Sequence, residues 1–438
     1  MRQEVRAILI RDNPWLENEN ALRPWLESHL PEPLLPRDVV ARNRSRWREP
    51  GRAHLVVGPR QAGKSTAIWS HLAALGEPAL FVDCEQPVLR EWCRSAPLFL
   101  SDLESGIGRA VPLFFEEAQH LENAGLFLKG LVDRGVGVPL LVTGSSSFHL
   151  GARVRESLAG RATRSRLLPF SLGEVTSDLG EKPPLVRVQE PERRFERHLA
   201  VGGYPRVWLS PAPGDLLTDL AEALVLRDAS DLFRIKRPDA FRRLLRLAAA
   251  QVGSLVNLSE WAALLGVSRD TVASYLEILE SSHVLAIVRP FAGGRRSELT
   301  RSQRVYFLDN GIRHHLVGDL RPLRERGDAG PALENWAFTE IWKALPSGAE
   351  PRFWRTTSQA EVDFVVESGG ALVAVEAKAT DLGRPALGRS ARSFIEAYAP
   401  RELLVVNRGV DTRQDVGRTT VRWIRPEHLA SSLDRALR

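Results

Sequence analysis

Cysteine is almost missing from this chain of 438 residues: only Cys84 and Cys93 occur, too far apart for a metal-type pair. A secreted scaffold held by disulfides is thereby excluded. No apolar run approaches the roughly 18 residues that cross a bilayer. The first apolar stretch, Ala7 to Ile10, is cut off by Arg11 and Asp12, too short for a leader. The expectation is a cytoplasmic protein with no membrane partner. Internal repeats and low-complexity tracts are absent as well. With 43% hydrophobic and 26% charged residues, the chain is neither disordered nor fibrous. Lysine is scarce. Lys64, Lys129, Lys182, Lys236, Lys343 and Lys378 are the only six, so arginine supplies nearly all of the 60 cations. The net charge of +6 permits a nucleic-acid partner without requiring one.

What is present divides along the chain. Residues 1–40 are rich in Trp and Pro and read as a short helix and a connecting arm. From about Arg52 to Leu168, apolar strands alternate with amphipathic helices, which predicts a parallel α/β sheet. The strands are expected at His54–Val57, Ala79–Val82, Pro112–Phe115, Pro139–Thr143 and Ser165–Leu168. Glu174 to Pro191 is polar and proline-marked, and reads as a boundary. The expected modules are an α/β core over 41–193, a helical lid over 194–250, a winged helix over 251–320 and a second α/β module over 328–438.

Gly58-Pro59-Arg60-Gln61-Ala62-Gly63-Lys64-Ser65 fits the phosphate-binding loop at every fixed position, between a strand and a helix that begins near Thr66. Its glycines let backbone N–H groups turn toward phosphate oxygens, and the helix start adds its positive end. Lys64 reaches β- and γ-phosphates and Ser65 ligates Mg²⁺ in such a loop. The apolar run Pro112–Phe115 ends in Glu116 and Glu117. These read either as a metal-holding and a water-orienting carboxylate or as a solvated acidic helix start. After the fourth strand, Thr143-Gly144-Ser145-Ser146 offers hydroxyls where a γ-phosphate sensor would sit. Arg161 is a candidate sensor or finger, weighed against a solvated surface arginine.

GPRQAGKST, FFEEAQHL, TGSSS, LAGR and LLPFSLGE, in this order, resemble prokaryotic AAA-type ATPases of the STAND-like, archaeal-type branch. Gly202-Gly203-Tyr204-Pro205 is similar to that branch's GG-x-P signature. Arg227-Asp228, the following helical region and AEVDFVVE…AVEAK resemble the domain of unknown function fused to those ATPases. The resemblance implies an ATP- and Mg²⁺-dependent ATPase. Glu116 departs from the family, which has Asp there.

Leu255 to Pro290 reads as two helices broken at Gly266, followed by a wing. Ser268 is an N-cap, and Val272, Leu276 and Leu279 share an apolar face. The exposed side of the second helix offers Arg269, Asp270, Ser274 and Glu277. Basic charge gathers instead in Arg295, Arg296, Arg301 and Arg304. Contact with DNA competes here with a lid or protein-docking role.

In the C-terminal module, Gly369-Gly370 separates two alternating runs and predicts a hairpin symmetric about the glycines. Asp363 then faces Glu376, and Glu361 faces Lys378, on one side of the sheet. Like charges opposed across strands are destabilising, and a divalent cation would relieve them. Glu334, on the preceding helix, could add a carboxylate. This set, with the order helix, three strands, helix, strand, resembles the PD-(D/E)XK nuclease core. The resemblance implies that Asp363 and Glu376 hold Mg²⁺ and that Lys378 activates water. A solvated hairpin, a nuclease fold that binds without cutting and a competent nuclease all remain open. The function expected is an ATPase coupled to a nuclease-like module directed at nucleic acid, DNA before RNA. The alternative is a STAND-like switch or scaffold that recruits a protein partner or a second copy without cutting.

Overall fold

The structure, a computed structural model, describes residues 1–107, 111–144, 158–223, 235–294, 298, 302–346 and 348–438, with the backbone alone at 184–188. Ser145, Ser146, Arg227, Asp228, Arg295, Arg296 and Arg301 lie outside the described residues. The chain forms two compact units, Met1–Leu168 and Pro169–Arg438.

The first unit is built on β1 (Ala53–Val57), β2 (Leu80–Asp83), β3 (Leu113–Glu116), β4 (Leu140–Gly144) and β5 (Ala162–Arg166). All pairings are parallel, in the order β2-β3-β4-β1-β5. All five residues of β1 are buried, as a central strand covered on both faces requires. The last strand lies three residues earlier than expected. It is an edge strand, Ala-Thr-Arg-Ser-Arg, in which only Ser165 is buried, and apolar patterning misses it. The apolar Leu167 and Leu168 come after it and are buried.

The first forty residues are part of this unit rather than an arm. The helix Gln3–Asp12 buries Val5 and Leu9 in the core on one face of the sheet. Trp15 and Trp25 pack on Trp69 of the helix Lys64–Leu75, with ring centroids 5.5 and 4.6 Å away. Asn13 pairs with edge strand β2 as another strand would. Its Oδ1 accepts from Phe81 N at 2.6 Å and its Nδ2 donates to Phe81 O at 3.0 Å. Trp15 Nε1 donates to Ala79 O at 2.8 Å.

The second unit opens with Pro169. The expected boundary at Glu174–Pro191 is ordered helix instead: Leu172–Val175 with a Ser171–Glu174 capping box, then Pro184–Val201. Pro184 at the helix start needs no N–H partner, while Pro191 lies inside the helix. The element order continues with helices Pro238–Ala250, Leu258–Leu265 and Arg269–Ser281, then β6 (Leu285–Val288) and β7 (Arg304–Phe307), which pair antiparallel. Leu255 bridges Arg304. Asn257 and Ser268 cap the second and third helices with side-chain oxygens.

A six-stranded sheet follows: β8 (Arg352–Arg355), β9 (Glu361–Ser368), β10 (Ala371–Ala377), β11 (Glu402–Val406), β12 (Thr412–Val416) and β13 (Thr419–Ile424). Its order is β12-β13-β11-β10-β9-β8. Phe364 packs on Phe338 of the helix Ala329–Ala344, while Val365 and Ala374 join Phe394 of the helix Arg389–Tyr398.

A latch of buried polar groups ties the start of this unit to the helix Ala329–Ala344. Phe170 N donates to Gly203 O at 2.7 Å. Phe170 O accepts from His198 Nε2 at 2.7 Å and Lys343 Nζ at 2.9 Å. Trp336 Nε1 donates to His198 Nδ1 at 2.9 Å, so His198 holds its proton on Nε2. Burial pushes its pKa down to about 4. A Cβ on Gly203 would lie 2.2 Å from Phe170 O, and one on Gly202, which has a φ of +76°, would lie 2.1 Å from Asp309 Oδ1. The paired glycines are required by this close packing.

Candidate nucleotide site and acidic cluster

β1 runs into the loop Gly58–Gly63, and the helix Lys64–Leu75 leaves it. A Cβ on Gly58 would sit 1.9 Å from Leu167 O, so only glycine fits there. Gln61 and Gly63 take φ values of +59° and +91°, which turn the loop backbone. Ala62 O accepts from Arg37 Nη1 at 2.8 Å, and Leu168 O accepts from Arg37 Nη2 at 2.5 Å. Arg37 was not expected in the site; one arginine among so many carries no signal in the sequence.

The carboxyl ends of β1, β3 and β4 bring the remaining residues together, where open α/β sheets bind ligands. Lys64 is 4% exposed, and its Nζ lies 3.1 Å from Pro59 O and 3.4 Å from Glu117 Oε1. Ser65 Oγ donates to Glu116 Oε1. Burial is the main cause that raises the Glu116 pKa, with the Ser65 hydrogen bond opposing it. Glu117 has a φ of +49°, and its N–H donates to Thr143 Oγ1 at 3.1 Å. Gln119 Nε2 donates to the Glu117 carboxylate. The two acids are thus held against the loop, and neither is a solvated helix start. The half-buried Arg60 is 3.8 Å from Glu85, and Thr66 lies in the first turn of the helix. Ser65 and Glu116 place a hydroxyl and a carboxylate side by side, a hard oxygen pair that fits Mg²⁺.

Arg161 belongs elsewhere. Ala53 N donates to Arg161 O, so the residue flanks the amino ends of β1 and β5. The loop leaves the opposite end of β1, about 13 Å away at ~3.3 Å per residue. Its side chain pairs with Asp133. It does not reach the phosphate site of its own chain.

In the second unit the hairpin forms in the expected register, from Ala371↔Ser368 to Val375↔Phe364. Gly369 and Gly370 have φ values of +58° and +82°, as a two-residue hairpin turn demands. β9 then carries a bulge. Arg352 faces Val365 but Trp354 faces Val362, so β9 has an extra residue at Asp363–Phe364. The bulge re-aims Asp363: its Oδ2 accepts from Ala377 N at 2.8 Å. Glu376 Oε2 lies 3.0 Å from Lys378 Nζ. Glu361 does not face Lys378 as expected. It pairs with Arg304 at 2.8 Å and Arg355 at 3.1 Å. Glu334 joins through Tyr306 OH at 2.5 Å and Arg304 Nη1 at 3.5 Å.

Arg304 is therefore not a wing cation open to nucleic acid; it is 3% exposed and committed to carboxylates. The period of two in Arg304-Val305-Tyr306 puts both polar residues on one strand face and could have signalled this. Burial is the main cause that raises the pKa values of Asp363, Glu376 and Glu334, the last to about 8. Among the described residues no group of three His, Cys, Asp or Glu is placed to hold a metal ion. The Mg²⁺ implied by the nuclease resemblance does not fit this cluster as it stands.

A family model described as an AAA domain matches residues 51–176. Two domains of unknown function match 192–322 (DUF8612) and 329–423 (DUF4143). An uncharacterized protein of Mycobacterium tuberculosis is 29% identical over 384 residues, covering 85% of this chain and 80% of its own length. An uncharacterized protein of Methanocaldococcus jannaschii is 20% identical over 330 residues, covering 72% of each. Among solved structures, the Thermotoga maritima RuvB Holliday junction branch migration motor aligns at 18% identity with a TM-score of 0.29, over 61% of this chain and 89% of its own. AMPPCP-bound DnaA from Aquifex aeolicus aligns at 12% identity with a TM-score of 0.23, over 56% of this chain and 86% of its own. The first unit carries a P-loop AAA-type core, followed by a helical region and a mixed-sheet module. No helix among the described residues is long and apolar enough to cross a membrane.

Proposed function

We propose that this chain binds and hydrolyses ATP with Mg²⁺ and uses its nucleotide state to govern a C-terminal module directed at nucleic acid. The observation that carries the reading is the placement of Lys64 and Ser65 against Glu117 and Glu116 at the carboxyl end of one parallel sheet. Gly58, Arg60, Gln61, Ala62 and Gly63 supply the loop whose N–H groups receive phosphates, and Thr66 continues the helix start. Ser65 and Glu116 would hold the Mg²⁺, which supplies charge neutralisation at the β/γ-phosphates. Glu117 would orient the attacking water. Lys64 Nζ lies 3.4 Å from Glu117 Oε1, so the phosphate-binding lysine and the water-orienting carboxylate face one space. The test is ATP binding and turnover in Lys64→Ala: both should fall by an order of magnitude or more, and unchanged values reject the site.

The nucleic-acid reading of the second unit rests on its element order. Helix, bridging residue, two capped helices and a two-stranded ribbon over 238–307 support a winged helix. Its exposed helix face, with Arg269, Asp270, Ser274 and Glu277, is acidic on balance and suits a protein partner as well as DNA. Helix, three strands, helix, strand over 329–406, with Asp363, Glu376 and Lys378 at one end of the sheet, support a nuclease-like fold. The ion pairs to Arg304 and Arg355 favour the second reading, binding without cleavage. A Mg²⁺/Mn²⁺ cleavage assay on single- and double-stranded DNA and RNA, with and without ATP, separates the two. Product formation that Lys378→Ala abolishes would establish the nuclease.

A further inference from the structure

The acidic cluster is balanced from within. Four carboxyl groups meet there: Glu334, Glu361, Asp363 and Glu376. Three cations answer them: Arg304, Arg355 and Lys378. The fourth carboxyl, Glu334, lies 3.5 Å from Arg304 Nη1, so that Arg304 is shared between two acids. Tyr306 OH and Ala377 N add neutral donors. Buried carboxylates need such partners, because an uncompensated charge in a low-dielectric site costs several kcal/mol.

Arg304 is the cation that a surface explanation does not cover. It is 3% exposed, its guanidinium lies 4.7 Å from the Phe353 ring centroid, and its Nε is buried with no hydrogen-bond partner. β7 delivers Arg304 from outside the six-stranded sheet, between Glu334 of the helix Ala329–Ala344 and Glu361 of β9. Lys378 is held by Glu376 and stays at the rim, with its side chain 41% exposed.

We propose that Arg304 is the resident cation of this cluster, supplying between Glu334 and Glu361 the positive charge that a divalent metal would otherwise bring, so that the C-terminal module works without a metal. The inference rests on the nuclease-like reading of this site and specifies its regulation. Arg304 satisfies two acids from two elements with one planar group, which a Lys ammonium matches in charge but not in geometry. Removing it uncovers carboxylates whose mutual repulsion a divalent ion would relieve.

The experiment measures Mn²⁺ binding by the full chain without nucleotide, from loss of the free-ion electron paramagnetic resonance signal. Wild type and Arg304→Lys should show no site that depends on Asp363 up to 1 mM Mn²⁺, about the weak limit of protein sites for divalent ions. The double variant Arg304→Gln/Glu361→Gln removes one cation and one anion, so the net charge is kept, while Glu334 loses Arg304 and the partly exposed Arg355 loses Glu361; circular dichroism checks that the fold is kept. This variant should gain at least tenfold tighter Mn²⁺ binding, and adding Asp363→Asn should abolish the gain. Mn²⁺ binding by wild type that Asp363→Asn removes would overturn the proposal. So would absence of binding in both wild type and the double variant, because Arg304 would not then be what excludes the ion. ATP binding measured on the same samples separates these outcomes from failure of the P-loop assignment, which depends on Lys64.

Discussion

Glu334 gives the sharpest test of how the second unit stores charge. Its carboxyl ionises near pH 8 in the folded chain, chiefly because of burial and then the nearby Asp363. In the unfolded chain a Glu ionises near pH 4.3. Between these values the folded form keeps a proton that the unfolded form has lost. Stability attributable to this residue is therefore complete below about pH 4 and falls as pH rises to 8, by ~1.4 kcal/mol per pH unit. From pH 5 to pH 7.5 the loss is about 3 kcal/mol, taken as a ceiling because Glu334 retains some access to water. Gln keeps the oxygen that accepts from Tyr306 OH and cannot ionise. Wild type and Glu334→Gln should thus be nearly equally stable at pH 5 and diverge as pH rises, with the variant more stable. A gap of 3 kcal/mol corresponds to ~6–12 °C in the melting temperature of a unit this large. Thermal melts of both proteins at half-unit pH steps give the difference directly, and titrations common to both cancel. A difference that does not change with pH would refute the argument, showing that Glu334 does not hold its proton above the usual carboxylate range.

Other positions give independent checks. Glu117→Gln should cut ATP turnover ~100-fold or more, the range for loss of a general base, while bound ATP persists in a filter or fluorescence assay. His198→Gln should flatten the acid limb of stability: the folded imidazole titrates near pH 4, so wild type loses stability as pH falls from 6.5 to 4, by up to ~3 kcal/mol. Urea titrations of the two proteins at pH 7 and pH 5 test this. Gly203→Ala forces a Cβ within 2.2 Å of Phe170 O and should destabilise the second unit by about 3 kcal/mol or more, beyond ordinary overpacking, as read from limited proteolysis.

The sequence was most legible where one residue type is forced. The loop Gly58–Ser65 could be read because glycine and lysine there have no substitutes. The hairpin register could be read because a period of two and a Gly-Gly turn leave one solution, and Val375↔Phe364 obeys it. The bulge at Asp363–Phe364 was not legible, since the acid–apolar alternation from Glu361 to Phe364 runs through both of its residues. Its cause lies in pairing with β8, far from any local signal. Arg304 was read as surface charge because a buried arginine and a solvated one look alike until their partners are known. Arg161 was misplaced for a related reason: nearness in sequence to the core motifs said nothing about which end of β5 it flanks. Residues 13–15 were read as linker because Asn and Trp next to Pro resemble a loop, and their contacts with β2 are long-range.

The cover over β2 bears on where this domain can be cut. The AAA-domain match begins at residue 51, yet the edge strand of the sheet is closed by Asn13 and Trp15. A fragment trimmed to the matched span would bare the N–H and C=O of Phe81 and the C=O of Ala79, together with one side of Trp69. An open edge of this kind is a template for a strand from another molecule. The stretch that is recognisable by descent is thus shorter than the stretch that covers its own sheet edge. Fragments meant for nucleotide-binding work should begin at Met1, and those that begin at 51 should be found in the pellet.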